Sequence, residues 1–312
     1  MTPFRCMRVV IVFGIFYLCN SALAFDRLVI FGDSLSDTGN IANGFNLPPP
    51  YFNNRISNGL VAVDILASQL GLSAESAEQF SNGSGDNYAV SGGNAAGNDV
   101  EDLNAQLAAF RARNPQGITD NTLVVLMIGG NDLRDARNLT NQSARTQVVE
   151  NAIAEISSVI STLANLGAGF ILVSNAPDIS RIPETLALAT NDPSVSSRAS
   201  EATALFNQLL NNRLSQLSSS VDGELVLFDL YSQFNRILDQ PLEFGFTVID
   251  QACFNPGSFR LNPGCNFDEY VFFDSIHPTA KTHQILGNAL FESTRIMRTN
   301  TIVISPLLLL LE

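Results

Sequence analysis

A run of seven mostly aliphatic residues at 122–128, Thr-Leu-Val-Val-Leu-Met-Ile, constrains the fold of this 312-residue chain more than any other feature. A strand this continuously apolar has both faces covered, as happens in a parallel sheet between helices. Shorter apolar runs alternate with stretches of helical periodicity and lie at 28–30, 170–173, 225–228 and 271–273. The alternation predicts crossover connections and a mostly parallel sheet with helices on both faces.

Helical spacing of apolar residues predicts helices at 60–70, 100–113, 144–166, 200–217, 231–238 and 279–295. Residues 87–90 predict one more short strand. The segment 183–197 is rich in Ser, Thr, Ala and Asn and predicts an excursion from the domain or a mobile loop. No internal repeat and no linker divides the chain.

Several predicted strands end in residues that carry chemistry, at the carboxyl edge where open α/β sheets bind ligands. The first strand leads into Ser34, and a serine becomes a strong nucleophile when a base takes its proton and donors receive the oxyanion. Gly92-Gly93 follows the predicted strand at 87–90, and Asn131 follows the run at 122–128. Each of these two loops alone also fits an ordinary turn. Together they indicate oxyanion donors.

The base for Ser34 has two candidates, because His277 and His283 are the two histidines of the chain. His277 comes three residues after Asp274 and soon after an apolar run, so one loop supplies an imidazole and a carboxylate to orient it. His283 falls in the last predicted helix, where a packed or solvent-facing structural role is the simpler interpretation. A structural role at a strand end stays open for His277 as well.

Four blocks together resemble the GDSL esterases and lipases, also called SGNH hydrolases. They are Phe-Gly-Asp-Ser-Leu-Ser-Asp-Thr-Gly-Asn at 31–40, Asn-Tyr-Ala-Val-Ser-Gly at 87–92, Gly-Gly-Asn-Asp at 129–132 and Asp-Ser-Ile-His-Pro-Thr at 274–279. The blocks occur in the order of that family. Arg-Ile-Ser-Asn-Gly at 55–59, with Asp64, is similar to its branch of secreted lecithinase, hemolysin-like and plant-type members.

The resemblance implies a three-layer α/β/α sandwich with a mostly parallel five-stranded sheet of the flavodoxin-like type. It implies ester hydrolysis by a triad of Ser34, His277 and Asp274, with no metal and no cofactor. The oxyanion hole implied by the same blocks consists of Ser34, Gly92 and Asn131. The α/β-hydrolase architecture is excluded, because its Gly-x-Ser-x-Gly elbow does not occur in the chain.

Residues 1–24 predict a cleaved export signal, because two arginines precede an apolar stretch and Ala-Leu-Ala at 22–24 fits the cleavage site. The apolar stretch is shorter than the roughly 20 residues that cross a bilayer. Residues 25–312 are then expected to form a single hydrolase domain of a secreted or periplasmic protein without a stable membrane span. The apolar tail at 302–311 is likewise too short to span.

The charge of the chain excludes one class of partner. Loss of the signal removes two of the 17 basic residues and leaves 15 against 30 acidic ones, with Lys281 as the only lysine. Such a chain offers no basic patch for phosphates, so nucleic acid is not an expected partner. The expected partner is a small-molecule or lipid ester.

Cys253 and Cys265 are the two cysteines outside the signal and lie 12 positions apart. In an exported protein such a pair favours a disulfide over a metal site. Closing this loop contributes about 2–3 kcal/mol to stability in the chain-entropy model. Two histidines and no Cys-x-x-Cys argue against structural zinc.

The sequence leaves the substrate open. An esterase or lipase acting on acyl esters or phospholipids would use the same residues as a carbohydrate esterase that deacetylates polysaccharides. A non-catalytic binding protein on the same fold is the third alternative. It is disfavoured because Ser34, Asp274, His277 and the oxyanion positions are all present.

Overall fold

A parallel sheet of four regular strands is the centre of the structure, a computed structural model that describes residues 25–42, 46–77 and 84–299. The strands lie in the order of the chain: β1 (Arg27–Gly32), β2 (Thr122–Met127), β3 (Phe170–Ser174) and β4 (Glu224–Phe228). Every residue of β2 and β3 is buried, as the apolar runs predict. The predicted signal at 1–24 and the tail at 302–311 lie outside the described residues.

A fifth row of parallel pairing lies along the free edge of β1. The N–H of Tyr88 donates to Ile30 O at 2.7 Å, and that of Val90 donates to Gly32 O at 3.1 Å. The strand predicted at 87–90 is therefore an irregular edge segment beside β1. With it the sheet has the flavodoxin-like order, in which the first strand is the second from the edge.

Two layers of helices enclose the sheet, and this confirms the predicted three-layer α/β/α architecture. The helices are α1 (Ala62–Leu70), α2 (Leu103–Arg113), α3 (Gly130–Asn138), α4 (Gln142–Asn165), α5 (Pro183–Ala189), α6 (Ser194–Leu217), α7 (Leu230–Asp239) and α8 (Ala280–Thr299). Helix α8 contacts both α1 and α7 in one layer. Helix α4 contacts α2, α3 and α6 in the other, and α5 packs on α6.

The register of the sheet sets the level of the loops that follow it. In the pairing of β1 with β2, Gly32 lies opposite Met127, so the two strands end together. The loops that begin at Asp33 and Ile128 therefore leave the sheet side by side. Helix α3 starts in the second loop, directly after Gly129, whose φ of 118° suits a residue without a Cβ.

The apolar run at 271–273 is extended but does not join the main sheet. Beyond α7 lie β5 (Val248–Ala252), β6 (Phe254–Asn255), β7 (Arg260–Leu261) and β8 (Tyr270–Phe272). Strands β5 and β8 form a separate parallel pair, and β6 and β7 form a small antiparallel one. The disulfide expected between Cys253 and Cys265 is present and closes the loop that holds β6 and β7.

The prediction of an excursion or mobile loop at 183–197 is wrong, because this segment forms α5 and the start of α6. Pro183 occupies the first turn of α5, where its missing N–H costs no helical hydrogen bond. Thr185 is fully buried, so tertiary packing adds to the helix-forming Ala and Leu of this stretch. Among the described residues, no helix has the length and apolarity needed to cross a membrane.

Candidate active site

Ser34 lies in a tight turn at the carboxyl end of β1. The N–H of Asp33 still pairs with Met127 O at 3.3 Å, and the N–H groups of Ser36 and Asp37 both donate to Asp33 O at 3.0 Å. The turn fixes the serine at the sheet edge, where only 9% of the residue is exposed. Ser34, the residue expected as the nucleophile, is therefore held in a rigid turn.

His277 faces Ser34 from the loop that follows β8. Its Nε2 lies 2.9 Å from Ser34 Oγ, and its Nδ1 lies 2.8 Å from Asp274 Oδ2. The loop is closed by the N–H of Phe273, which donates to His277 O at 2.7 Å. The structure therefore brings the serine, the histidine and the acid together, although 243 positions separate the serine from the histidine.

Asp274 is buried and stays in its charged form. Its Oδ1 accepts the N–H groups of Ile276 and His277, both at 2.8 Å. Burial alone raises the pKa of this carboxyl, but the facing imidazole and these hydrogen bonds outweigh it and hold the pKa below its usual value. A carboxylate beside Nδ1 keeps the ring proton on that nitrogen and leaves Nε2 free to accept a proton from the serine.

A cavity of about 60 Å³ opens next to Ser34. Polar residues line part of it, among them Asp33, Asn131 and Arg134. Ser174 and Asn175 at the end of β3 are also polar. Most of the remaining lining is apolar and comes from the ends of β2 and β3, α7, α8 and the acid–base loop: Met127, Ile128, Ala176, Pro177, Ile179, Ile182, Leu230, Phe234, Ile276, Pro278 and Leu286. The cavity suits an uncharged hydrocarbon group attached to a polar centre at the serine.

Gly92 follows the edge segment and Ser34 follows β1, each two residues beyond the pair in which the N–H of Val90 donates to Gly32 O. Its φ of 91° is a left-handed conformation that glycine adopts without strain. Among the described residues, the backbone N–H groups of Gly92 and Ser34 donate to no protein acceptor. Both N–H groups are therefore available to a ligand.

Two buried aspartates hold the Gly92 loop from either side, and sequence reasoning did not single them out. Asp37 Oδ2 accepts the N–H and the hydroxyl of Ser91 at 2.8 and 2.9 Å. Asp132 accepts the N–H groups of Ala95 and Ala96 at 2.7 and 3.0 Å. Burial raises the pKa of Asp132 to about 6. Both aspartates lie within the blocks at 31–40 and 129–132, which is the one sequence signal that marks them.

Asn131 lies in the first turn of α3 and lines the cavity. Its Nδ2 donates to Gly93 O at 2.9 Å, and its Oδ1 accepts from Arg134 Nη1 at 3.0 Å. Nδ2 carries a second hydrogen that these contacts do not use. The amide thus links the glycine loop to α3, and Asn131 and Ser34 line the same cavity.

Arg134 and Glu184 form an ion pair at the site that the sequence did not indicate. The guanidinium binds both carboxylate oxygens, at 2.9 Å from Nε and 2.8 Å from Nη2. Buried Arg137 binds Glu184 from the other side at 2.8 Å, and the N–H of Glu184 donates to Ser275 O at 2.9 Å. Glu184 thereby joins α3 to the loop that holds the acid and the histidine.

His283 takes no part in the site. It is fully buried in α8, and its Nδ1 accepts the N–H of Ala62 at 3.2 Å, at the start of α1. The packed structural role is the correct one of its two interpretations.

Asp33 lies next to Ser34, and burial raises the pKa of its carboxyl to about 6.

Comparison with protein families and curated proteins gives the same family that the sequence blocks resemble. The model of the family described as GDSL-like lipase/acylhydrolase matches residues 28–290. A GDSL esterase/lipase of Arabidopsis thaliana is 29% identical and covers 86% of this chain and 91% of its own length. A phosphatidylcholine-sterol acyltransferase of Aeromonas hydrophila is 32% identical and covers 78% of this chain and 70% of its own length.

Solved structures include an acetylxylan esterase of Geobacillus stearothermophilus that is 17% identical to this chain. It covers 86% of this chain and 93% of its own length, with a TM-score of 0.47.

Proposed function

Because the chain belongs to the GDSL-like lipase/acylhydrolase family and is a carboxylic ester hydrolase, we propose that Ser34, His277 and Asp274 are its catalytic triad. One observation carries the proposal: a continuous hydrogen-bonded line runs from Ser34 Oγ through both ring nitrogens of His277 to a buried carboxylate. Ser34, at one end of this line, shares the lining of the cavity with Asn131. A nucleophile, a base and an orienting acid within hydrogen-bond reach are the requirements of acyl transfer.

In the acylation step, Ser34 Oγ attacks the ester carbonyl carbon while His277 Nε2 accepts the hydroxyl proton. The carbonyl oxygen becomes an oxyanion, which the N–H groups of Ser34 and Gly92 and the Asn131 amide stabilise. Collapse of the tetrahedral intermediate breaks the carbon–oxygen bond to the alcohol. His277 protonates the departing alcohol, and the acyl group remains on Ser34.

In the deacylation step, a water molecule takes the place of the alcohol. His277 Nε2 accepts a proton from the water, whose oxygen attacks the acyl carbon. The second tetrahedral intermediate uses the same oxyanion donors and releases the carboxylic acid. The proton returns from His277 to Ser34 Oγ. Asp274 steadies the imidazolium in both steps without itself taking a proton.

The apolar cavity supports an acyl group longer than acetyl. Its volume of about 60 Å³ and its largely apolar lining suit a hydrocarbon chain longer than a methyl group. An acetyl group would leave most of it unfilled. The proposed substrates are therefore esters of short to medium acyl chains, of lipid or other origin, rather than acetylated polysaccharides.

Ser34→Ala tests the nucleophile. We expect this variant to fold with an unchanged thermal midpoint and to lose hydrolysis of p-nitrophenyl butyrate by a factor of about 10⁴ or more. A fluorophosphonate probe should label the wild-type protein on Ser34 and leave the variant unlabelled. A Ser34→Ala protein with wild-type turnover would disprove the proposed mechanism.

A series of p-nitrophenyl esters from C2 to C12 tests the acyl group. We expect kcat/KM to rise from C2 to a maximum at about C4–C6 and to fall for chains too long for a cavity of about 60 Å³. A maximum at C2, together with acetate release from acetylated xylan, would instead favour the carbohydrate esterase.

We also propose that the mature protein is exported and begins at Phe25. The disulfide between Cys253 and Cys265 supports an oxidising compartment. The family match at 28–290 lies wholly within the proposed hydrolase domain at 25–312. Mass spectrometry of the protein recovered outside the cytoplasm should give an N-terminus at Phe25, and a full-length N-terminus there would contradict cleavage.

A further inference from the structure

The side-chain amide of Asn131 can adopt two orientations, and nothing in the side chain itself favours one of them. The oxygen and the NH₂ group of an asparagine have nearly the same size, so a half-turn of the amide exchanges a donor for an acceptor. Only the orientation with NH₂ toward Ser34 can stabilise an oxyanion. Some partner must therefore fix the amide.

Arg134 is that partner in the structure. Its Nη1 donates to Asn131 Oδ1 at 3.0 Å, and a guanidinium has only donors, so the oxygen and not the NH₂ group must face it. A hydrogen bond from a charged donor is also stronger than one between neutral groups. Gly93 O, which accepts from Nδ2 at 2.9 Å, favours the same orientation.

Glu184 keeps Arg134 in place. It binds the guanidinium through both carboxylate oxygens, which fixes the plane of the fork as well as its distance. Glu184 is itself held by Arg137, which is 2% exposed, and by its own N–H bond to Ser275 O. The pair is thus anchored to a buried side chain and to the acid–base loop.

We propose that the Arg134–Glu184 pair positions the Asn131 amide for the oxyanion. The proposal rests on the oxyanion role of Asn131 in the proposed function. Arg134 and Glu184 act through Asn131 and do not themselves contact the reacting atoms. Removing the pair should impair the transition state more than substrate binding, so kcat should fall while KM stays nearly constant.

The chain contains a second group with the same connectivity, at the other end of β1. Arg27 binds both oxygens of Asp86 and donates a third hydrogen bond, from Nη1 to Asn114 Oδ1 at 2.9 Å. Exposure also matches, because the Arg27 and Asp86 side chains are 29% and 27% exposed and those of Arg134 and Glu184 are 29% and 25% exposed. The group of Arg27, Asp86 and Asn114 is therefore a matched control for the purely structural effect of losing such an ion pair.

A double-mutant cycle tests the proposal. Arg134→Met removes the three hydrogen bonds at similar length, and we expect kcat for p-nitrophenyl butyrate to fall by about 10–100-fold with KM changed less than twofold. Asn131→Ala should lower kcat by about 10²–10³. In the Asn131→Ala background, Arg134→Met should cause no further loss, because the amide it positions is gone. Arg27→Met should leave kcat unchanged.

Three other results would overturn the proposal, and each differs from a failure of the proposed function. If Arg134→Met lowered kcat equally with and without Asn131, the effect of Arg134 would be independent of the amide. Full activity of Arg134→Lys would assign the effect to charge alone, since lysine cannot bond Glu184 bidentately and reach Asn131 at once. A similar loss of kcat in Arg27→Met would show that the effect of Arg134→Met comes from reduced stability. An Asn131→Ala protein with full turnover would instead refute the oxyanion role itself.

The lysine variant also covers the case in which Arg134→Met does not fold. Arg134→Lys keeps a cation opposite Glu184, so the same cycle is then run with it in both backgrounds. We expect Arg134→Lys to lower kcat by about tenfold or more when Asn131 is present and to leave kcat constant in the Asn131→Ala background.

Discussion

The two histidines of the chain carry their ring proton on opposite nitrogens. His277 directs Nδ1 to a carboxylate oxygen of Asp274 at 2.8 Å and Nε2 to Ser34 Oγ at 2.9 Å. His283 uses Nδ1 to accept the N–H of Ala62 at 3.2 Å. A neutral imidazole donates from one nitrogen and accepts at the other. The partners therefore assign the proton to Nδ1 in His277 and to Nε2 in His283.

The difference shows what makes a histidine a base in this protein. At His277 a buried carboxylate accepts a hydrogen bond from the Nδ1–H group, and the lone pair of Nε2 faces the Ser34 hydroxyl. At His283 the lone pair is used by the backbone of α1, and Nε2 is buried with no hydrogen-bond partner in the described part of the chain. Burial, with a smaller contribution from His277, lowers the pKa of His283 to about 3, so this ring stays neutral.

His277→Gln would break the comparison on the catalytic side and has the largest expected effect. The glutamine amide can occupy the place of Nε2 next to Ser34 but cannot take a proton at neutral pH. We expect kcat for p-nitrophenyl butyrate to fall by about 10⁴–10⁶ with an unchanged thermal midpoint. A variant that keeps kcat within tenfold of the wild type would show that His277 is not the base.

Asp274→Asn would move His277 toward the tautomer of His283. An amide NH₂ beside Nδ1 donates to it, which places the ring proton on Nε2 and removes the lone pair that Ser34 needs. We expect kcat to fall by about 10⁴. Nitrogen-15 shifts of labelled histidine should show the Nε2–H form at His277. An Nδ1–H ring together with the lost activity would argue for a purely electrostatic role of Asp274.

The sequence was sufficient to predict the sheet and the histidine that lies in the site. The run at 122–128 is apolar throughout, which is a direct consequence of burial on both faces, and it forms β2. Ser34, Asn131 and His277 each follow an apolar run, and the structure brings all three to one place. The edge segment at 87–90 was also expected as a strand, although it pairs less regularly.

Composition misled the prediction at 183–197. Ser, Thr, Asn and Pro are frequent in loops, but here Pro183 starts α5 and a contact beyond the helix stabilises it. Arg137 binds Thr185 Oγ1 at 2.6 Å. That partner is 48 positions away, and local periodicity carries no information about it. Helix α3 was missed for a related reason, since Gly130–Asn138 is mostly polar and is buried through Leu133 and Ala136.

The supporting residues of the site were unpredictable for the same reason. Glu184 lies 50 positions from Arg134, and Asp37 lies 54 positions from Ser91. A single sequence shows which side chains can form a hydrogen bond but not which of them meet. The spacing of Asn131 and Arg134, one helical turn apart, was a usable signal only if a helix had been predicted there.

His283→Asn sharpens the structural side of the comparison and has the smallest expected effect. The asparagine oxygen can take the place of Nδ1 and accept the N–H of Ala62, but it does not titrate. We expect kcat at pH 7 within twofold of the wild type and a free energy of unfolding lowered by about 1–3 kcal/mol. Denaturant unfolding at pH 7, 5 and 4 measures the difference between the two proteins.

The sign of the pH dependence follows from the lowered pKa of His283. Between the ordinary value of 6.5 and about 3, the unfolded chain binds a proton at this position and the folded protein does not. The stabilising effect of His283 is therefore complete above pH 6.5 and is lost as the pH falls, so the difference from His283→Asn should shrink between pH 7 and pH 4. Asp33 and Asp132, whose pKa burial raises to about 6, act in the opposite direction, but both proteins contain them. A difference that stays constant with pH would mean that His283 titrates alike in the folded and unfolded chains, and the contrast with His277 would then lie in the tautomer alone.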